Sequence, residues 1–156
     1  LTDRMFEYAL VYEENETADL KPLPISDLAE CLRENCEFIR IAGFTVEEKF
    51  EYGAESEMYG DKVMLKRIFS NLFSNILKYG DKKGEVTVQI CPECGRLKIL
   101  ITNLIKKDAA DTESNQIGLR SVRKMVEMHQ GELYTFVETN IYTVGIVFDM
   151  IYKYSG

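Results

Sequence analysis

A chain of 156 residues with 46% hydrophobic content has the size and apolar share of one globular domain with its own core. Its net charge of −7, with no run of basic residues, argues against a nucleic-acid groove or an anionic membrane surface as partner. No stretch approaches the roughly 20 apolar residues of a membrane span and no charged-then-apolar leader opens the chain, so a cytoplasmic domain is expected.

Leu1, Met5, Tyr8 and Tyr12 repeat at spacings of four, three and four, the seam of a helix that packs lengthwise on another. An ordinary amphipathic helix gives the same pattern over so short a stretch. Because Leu1 stands in mid-pattern, the chain is expected to be a piece of a longer protein. Glu13 to Pro24 is polar, aperiodic and carries two prolines, which reads as a linker. Ser26 is the expected cap of a helix whose apolar positions Leu28, Leu32, Cys36 and Ile39 follow the 3.6-residue period until Gly43 stops it. Phe44, Val46 and Phe50 then alternate as in a strand, and Asp61 is the expected cap of a long helix to Tyr79.

Glu85 to Cys91 and Arg96 to Thr102 read as a hairpin around a Pro/Gly turn. That turn holds Cys91 and Cys94 in a knuckle-like spacing. A closed zinc site needs two more ligands, and Cys31 and Cys36, five apart on a helix, point to different sides. Reduced thiols in a tight turn are therefore expected rather than zinc. Asn103 to Gln116 is polar and aperiodic, the pattern of a loop, and a helix from about Gly118 to Gln130 puts Leu119, Val122, Val126 and His129 on one face. Gly131 is expected to end it, and Glu132 to Glu138 with Ile141 to Ile151 form a second hairpin. This order of elements predicts helices layered on one face of a mixed sheet.

The helix before Tyr79 carries the chemistry. Arg67, Asn71, Asn75 and Lys78 fall at intervals of four, four and three and project as one stripe, beside an apolar face of Leu65, Ile68, Phe69, Leu72 and Ile76. Along the edge of a core, an amide oxygen can coordinate a hard cation and an ammonium can meet phosphate oxygens. A solvated helix face is the competing explanation. Near the second long helix, Gly118 permits close backbone approach to a ligand, and a helix beginning there would offer N–H groups and positive dipole to an anion.

The run Asn71-Leu72-Phe73-Ser74-Asn75-Ile76-Leu77-Lys78-Tyr79 resembles the asparagine box of sensor histidine kinases, within the wider group of gyrase-, chaperone- and mismatch-repair-like ATPases. Ile117-Gly118-Leu119-Arg120 and the helix through Gly131 are similar to that family's second glycine box, and the two motifs stand in the family's order. The resemblance implies an α+β two-layer sandwich: a mixed, mostly antiparallel five-stranded sheet covered on one face by three helices. It implies ATP and Mg2+ as cofactors, with Asn75 as magnesium ligand and Asn75 and Lys78 as catalytic residues. Asn71, Tyr79, Asn103, Ile117, Gly118, Leu119 and Thr143 complete the implied nucleotide contacts. Residues 1–14 become the end of a phosphoacceptor and dimerisation bundle, 15–24 a linker, and 25–154 the catalytic domain. The implied partners are that bundle, dimeric in the full protein, and a response regulator, with no nucleic acid and no direct membrane contact by this domain. The full-length protein is then expected in the bacterial cell membrane.

Two departures stand out. Asn103 occupies the place of the family's adenine-binding aspartate without the glycines that follow it, as in the family's short-lid branch, and Ser114-Asn115-Gln116 replace glycines of the second box. The resemblance leaves two alternatives: a pseudokinase that lost its nucleotide, and a hydrolase or serine kinase of the same group. Hydrolases carry a glutamate where Asn71 stands, and an amide is no base. His129, the sole histidine, lies on an apolar face and reads as structural. The substrate histidine is expected upstream.

Overall fold

A computed structural model describes the backbone of residues 16–106 and 114–152, with side chains in the second stretch from Leu119 onward. The expected bundle helix, residues 1–14, lies outside the described residues. In chain order the elements are β1 (Lys21–Pro24), α1 (Ile25–Ile41), β2 (Val46–Phe50), β3 (Glu57–Gly60), α2 (Lys62–Tyr79), β4 (Val86–Glu93), β5 (Arg96–Leu104), α3 (Ser114–Met128), β6 (Glu132–Glu138) and β7 (Ile141–Asp149). Five strands form one sheet in the order β2-β4-β5-β7-β6, parallel only between β2 and β4.

Strand alternation decides where the core sits. On β4, Val86, Val88 and Ile90 are buried, and on β5 Leu97, Ile99 and Ile101. Both rows face the helices, because each strand period of two returns the side chain to the same side. Leu28, Leu32 and Ile39 of α1, Ile68, Leu72 and Ile76 of α2, and Val122 and Val126 of α3 close over them. Each such side chain stabilises the fold by roughly 1.5–3 kcal/mol when fully buried. The three helices and five-stranded mixed sheet are the expected architecture.

Both hairpins turn through two residues of positive φ, Cys94 and Gly95 in one, Thr139 and Asn140 in the other. That sign at both central positions matches the right-handed twist of the flanking strands. Pro92 is part of β4, not of the turn, and pairs with Leu97 beyond the last residue that β2 covers. A residue without an N–H is tolerated there because β4 has become an edge.

Four local expectations are corrected. The aperiodic segment read as a linker contains a strand, β1, which pairs antiparallel with β3 and keeps its two prolines on a two-stranded edge. Ser26 is not a cap: α1 starts one residue earlier, behind Pro24, with no side-chain cap bond, since the fixed φ of proline and the Ile25 N–H bond to Ser56 O already set its entry. The third helix starts at Ser114, so Gly118 lies inside it rather than at its mouth, an interior glycine costing only about 1 kcal/mol. Its left-handed terminal residue is Gln130 at φ 58, whereas Gly131 is required for space: a Cβ there would stand 2.8 Å from Val147 O and from the Phe148 ring.

Candidate functional site

Asp61 caps α2, its Oδ1 accepting from the Met64 N–H at 3.1 Å. That fixes the helical phase. Leu65, Ile68, Leu72 and Ile76 are buried, Arg67, Asn71 and Asn75 lie half-buried along the adjoining edge, and Lys78 is exposed. After Tyr79 the chain leaves the helix through an extended Gly80, where a Cβ would meet Ile76 O at 2.5 Å.

The chain is then fastened to the end of β5. Asp81 N–H donates to Leu104 O at 2.8 Å, Lys106 N–H to Tyr79 O at 2.9 Å, and Gly80 bridges Ile105. These backbone bonds hold the last turn of α2 over the strand. Alternation on β5 sends Ile101 and Asn103 to that same side, and the β5–β7 register sets Tyr142 opposite Asn103 and Val144 opposite Ile101. A narrow cleft results. Leu72, Ile76, Ile101, Ile105 and Val144 form its apolar walls, and Asn75, Tyr79, Asn103 and Tyr142 supply its polar atoms. An apolar slot with a few convergent polar groups is the usual form of a small-molecule site.

Asn103 is only 3% exposed. Its Nδ2 donates to Leu104 O at 3.1 Å, which leaves Oδ1 as the acceptor. Burial pushes the Tyr142 phenol up to about 12, with Arg123 pulling the other way, so the group is neutral at physiological pH.

Of the residues singled out in the sequence, the cleft brings together Asn75, Tyr79 and Asn103. Asn71 and Lys78 follow the same stripe but lie outside the cleft wall. Thr143 lies between Tyr142 and Val144 on β7, so its side chain stands on the opposite face of the sheet, paired in register with Thr102. Leu119 packs half-buried against the core. The backbone of Ile117 and Gly118 belongs to α3; their side chains lie outside the described residues. Tyr142 was missed because only the long-range register shows which β7 residues face Asn103.

His129 is 5% exposed and fully engaged. Its Nε2 accepts from Asp61 N–H at 3.0 Å, and Nδ1 lies 2.8 Å from Met125 O. The only consistent tautomer is neutral, with Nδ1 donating. Burial lowers its pKa below the usual 6.5, against the opposing pull of the Met125 carbonyl and Asp61. Burial alone would raise the Asp61 carboxyl, but N–H bonds from Asp19 and Met64, with His129 nearby, hold it below its ordinary value.

No family model matches the chain. Sensor histidine kinase YrkQ of Bacillus subtilis is 28% identical over 156 residues, which cover 95% of this chain and 34% of that protein. The chain thus spans about a third of that curated relative. Histidine kinase AdeS of Acinetobacter baumannii superposes with a TM-score of 0.71 at 13% identity, over 96% of this chain and 77% of that one. The nucleotide-free catalytic domain of histidine kinase ThkA gives 0.66 at 16% identity, over 84% and 97%. The chain is a homologue of a sensor histidine kinase, and its fold is that of histidine kinase catalytic domains.

Proposed function

We propose that this chain is the ATP-binding catalytic domain of a two-component sensor histidine kinase, which passes the γ-phosphoryl of Mg-ATP to a histidine on a bundle upstream. The observation that carries the reading is the convergence of Asn75, Tyr79 and Asn103 on one apolar cleft, from two elements stapled together by backbone bonds. Asn103 Oδ1, buried at the cleft, suits the exocyclic amino group of adenine, and the apolar walls of Ile101, Ile105 and Val144 on one side and Leu72 and Ile76 on the other suit its ring. The donor set therefore fits a purine nucleotide.

From the adenine end, the stripe carries the phosphates along α2. Asn75 would hold Mg2+ through its amide oxygen, and Lys78 and Asn71 would meet phosphate oxygens. When bound, the cation neutralises phosphate charge. The chain's own contribution is to orient the triphosphate in line with an acceptor and to keep water inactive. Asn71 provides no carboxylate to activate water or a hydroxyl, which favours histidine transfer over hydrolysis.

The acceptor lies outside the described residues. His129 is excluded, because both ring nitrogens are bonded in the core. The segment 1–14 would be the end of the acceptor bundle and residues 25–154 the catalytic unit, with a response regulator downstream and a membrane anchor elsewhere in the full protein. Among the described residues no helix is long and apolar enough to cross a membrane.

Calorimetric titration with ATP, with and without Mg2+, tests the reading. Saturable binding that strengthens with Mg2+ is expected. No binding at millimolar ATP would overturn it in favour of a pseudokinase.

A further inference from the structure

Arg67 belongs to the phosphate-facing stripe, yet its guanidinium is already taken. Its Nη1 donates to Glu16 Oε1 at 2.6 Å, and the two side chains are only 24% and 29% exposed. Glu16 comes from the segment ahead of β1. The same segment is held by Asp19 N–H on Asp61 Oδ2 at 3.0 Å, and then by the pairing of β1 with β3. Followed backwards from β1, the chain therefore passes the cap of α2 at Asp61 and reaches Arg67, advancing toward the asparagines.

At 1.5 Å per residue, Arg67 stands about 6 Å along the axis from Asn71 and about 12 Å from Asn75. It is on their stripe, on the side away from the adenine cleft. An arginine side chain spans that shorter distance and offers the planar fork that matches phosphate oxygens. A carboxylate seated on it neutralises the cation and sets negative charge where the terminal phosphate would arrive.

We propose that Arg67 is a binding residue for the terminal phosphate of the nucleotide, and that Glu16 of the linker holds it in reserve. The proposal rests on the nucleotide reading of the cleft. With the pair closed, the domain meets ATP and ADP with nearly equal strength beyond Asn75. Displacement of the linker takes the Glu16 carboxylate off the guanidinium, and the site then favours the triphosphate. The segment that joins the catalytic unit to its partner domain would thus itself tune the site.

Titrations of the parent chain, Glu16→Gln, Arg67→Gln and the double variant with Mg-ATP and Mg-ADP test this. Glu16→Gln should raise affinity for ATP by roughly two- to fivefold, the scale of a partly exposed charge contact, and change ADP by less than about 1.5-fold. The double variant should lose that gain. The exchanged pair Glu16→Arg with Arg67→Glu keeps an ion pair and so protects the fold, yet should bind ATP more weakly than the parent. The proposal is overturned if Glu16→Gln leaves ATP affinity unchanged, if ATP and ADP gain alike, if the double variant keeps the gain, or if the exchanged pair equals the parent. A parent that binds neither nucleotide would overturn the cleft reading itself, a result independent of Glu16.

Discussion

Replacing His129 by alanine should destabilise the unliganded domain by about 3 kcal/mol. The ring gives Met125 O, a carbonyl in the last turn of α3, a donor at 2.8 Å, while the His129 backbone N–H turns to Val126 O at 3.0 Å. It also takes the Asp61 N–H at 3.0 Å and packs against Phe148 with ring centroids 5.7 Å apart. Two hydrogen bonds contribute about 1 kcal/mol each, and the lost ring burial with its cavity adds about 1 kcal/mol more. At the scaling for a domain of this size, the midpoint of thermal unfolding should fall by about 10 °C. The pH dependence gives an independent measure. Burial favours the neutral ring, so the folded state holds the proton less tightly than the unfolded one. This contribution is fully present above pH 6.5 and is lost as pH falls through the depressed folded value. The depressed Asp61 carboxyl acts lower, losing its contribution only as pH falls below its ordinary 3.8. Urea unfolding of the parent and of His129→Phe between pH 8 and pH 5 separates the two. The parent should lose more stability than His129→Phe over this range. Equal pH dependence, or an alanine variant within 1 kcal/mol of the parent, would refute the junction.

Asn75→Ala should weaken Mg-ATP binding by about 2 kcal/mol in a calorimetric titration, with the unliganded melting temperature almost unchanged, because a half-buried polar side chain on a helix edge contributes little to folding. Incubated with radiolabelled ATP, the chain should acquire no acid-labile label, whereas a longer chain that includes the proposed acceptor bundle should; label on the short chain would contradict the proposed placement of the acceptor. Elemental analysis should find well under one zinc per molecule, since Cys31 and Cys36 are buried on α1 while Cys91 lies on β4 and Cys94 in the turn after it; stoichiometric zinc would reverse this.

The parts that local periodicity encodes were legible in the sequence. The α2 stripe follows from a 3.6-residue repeat within 18 residues, and Asp61 was recognisable as its cap from residue type and position alone. Both hairpins were legible because the strands flanking each turn lie only a few residues apart. What depended on distant pairing was not. β1 and β3 are four residues each, and their pairing joins segments more than thirty residues apart. Neither could announce itself by alternation. Thr143 and Tyr142 exchange roles with a single step of register, because adjacent strand residues face opposite sides. The start of α3 was misplaced for a different reason: Ser114, Asn115 and Gln116 add no apolar position to the helical period, so the pattern becomes visible only at Leu119.

The placement of α2 joins these observations. Its N-terminal half receives the linker, through Asp19 at Asp61 and Glu16 at Arg67, and its C-terminal half forms a wall of the cleft, through Asn75 and Tyr79. Eighteen helical residues span about 27 Å and behave as one rigid body against a packed sheet. The backbone bonds of Asp81 and Lys106 clamp the cleft end to β5, and the His129–Asp61 bond clamps the other end to α3. With both ends fixed, a pull on the linker cannot readily translate the helix. It acts on the weaker elements instead, the partly exposed Glu16–Arg67 pair and the Asp19 contact, which cost less to break than the buried junctions behind them. A displacement of residues 16–20 would therefore reach the site as a change of charge on the stripe rather than as a change in the shape of the cleft.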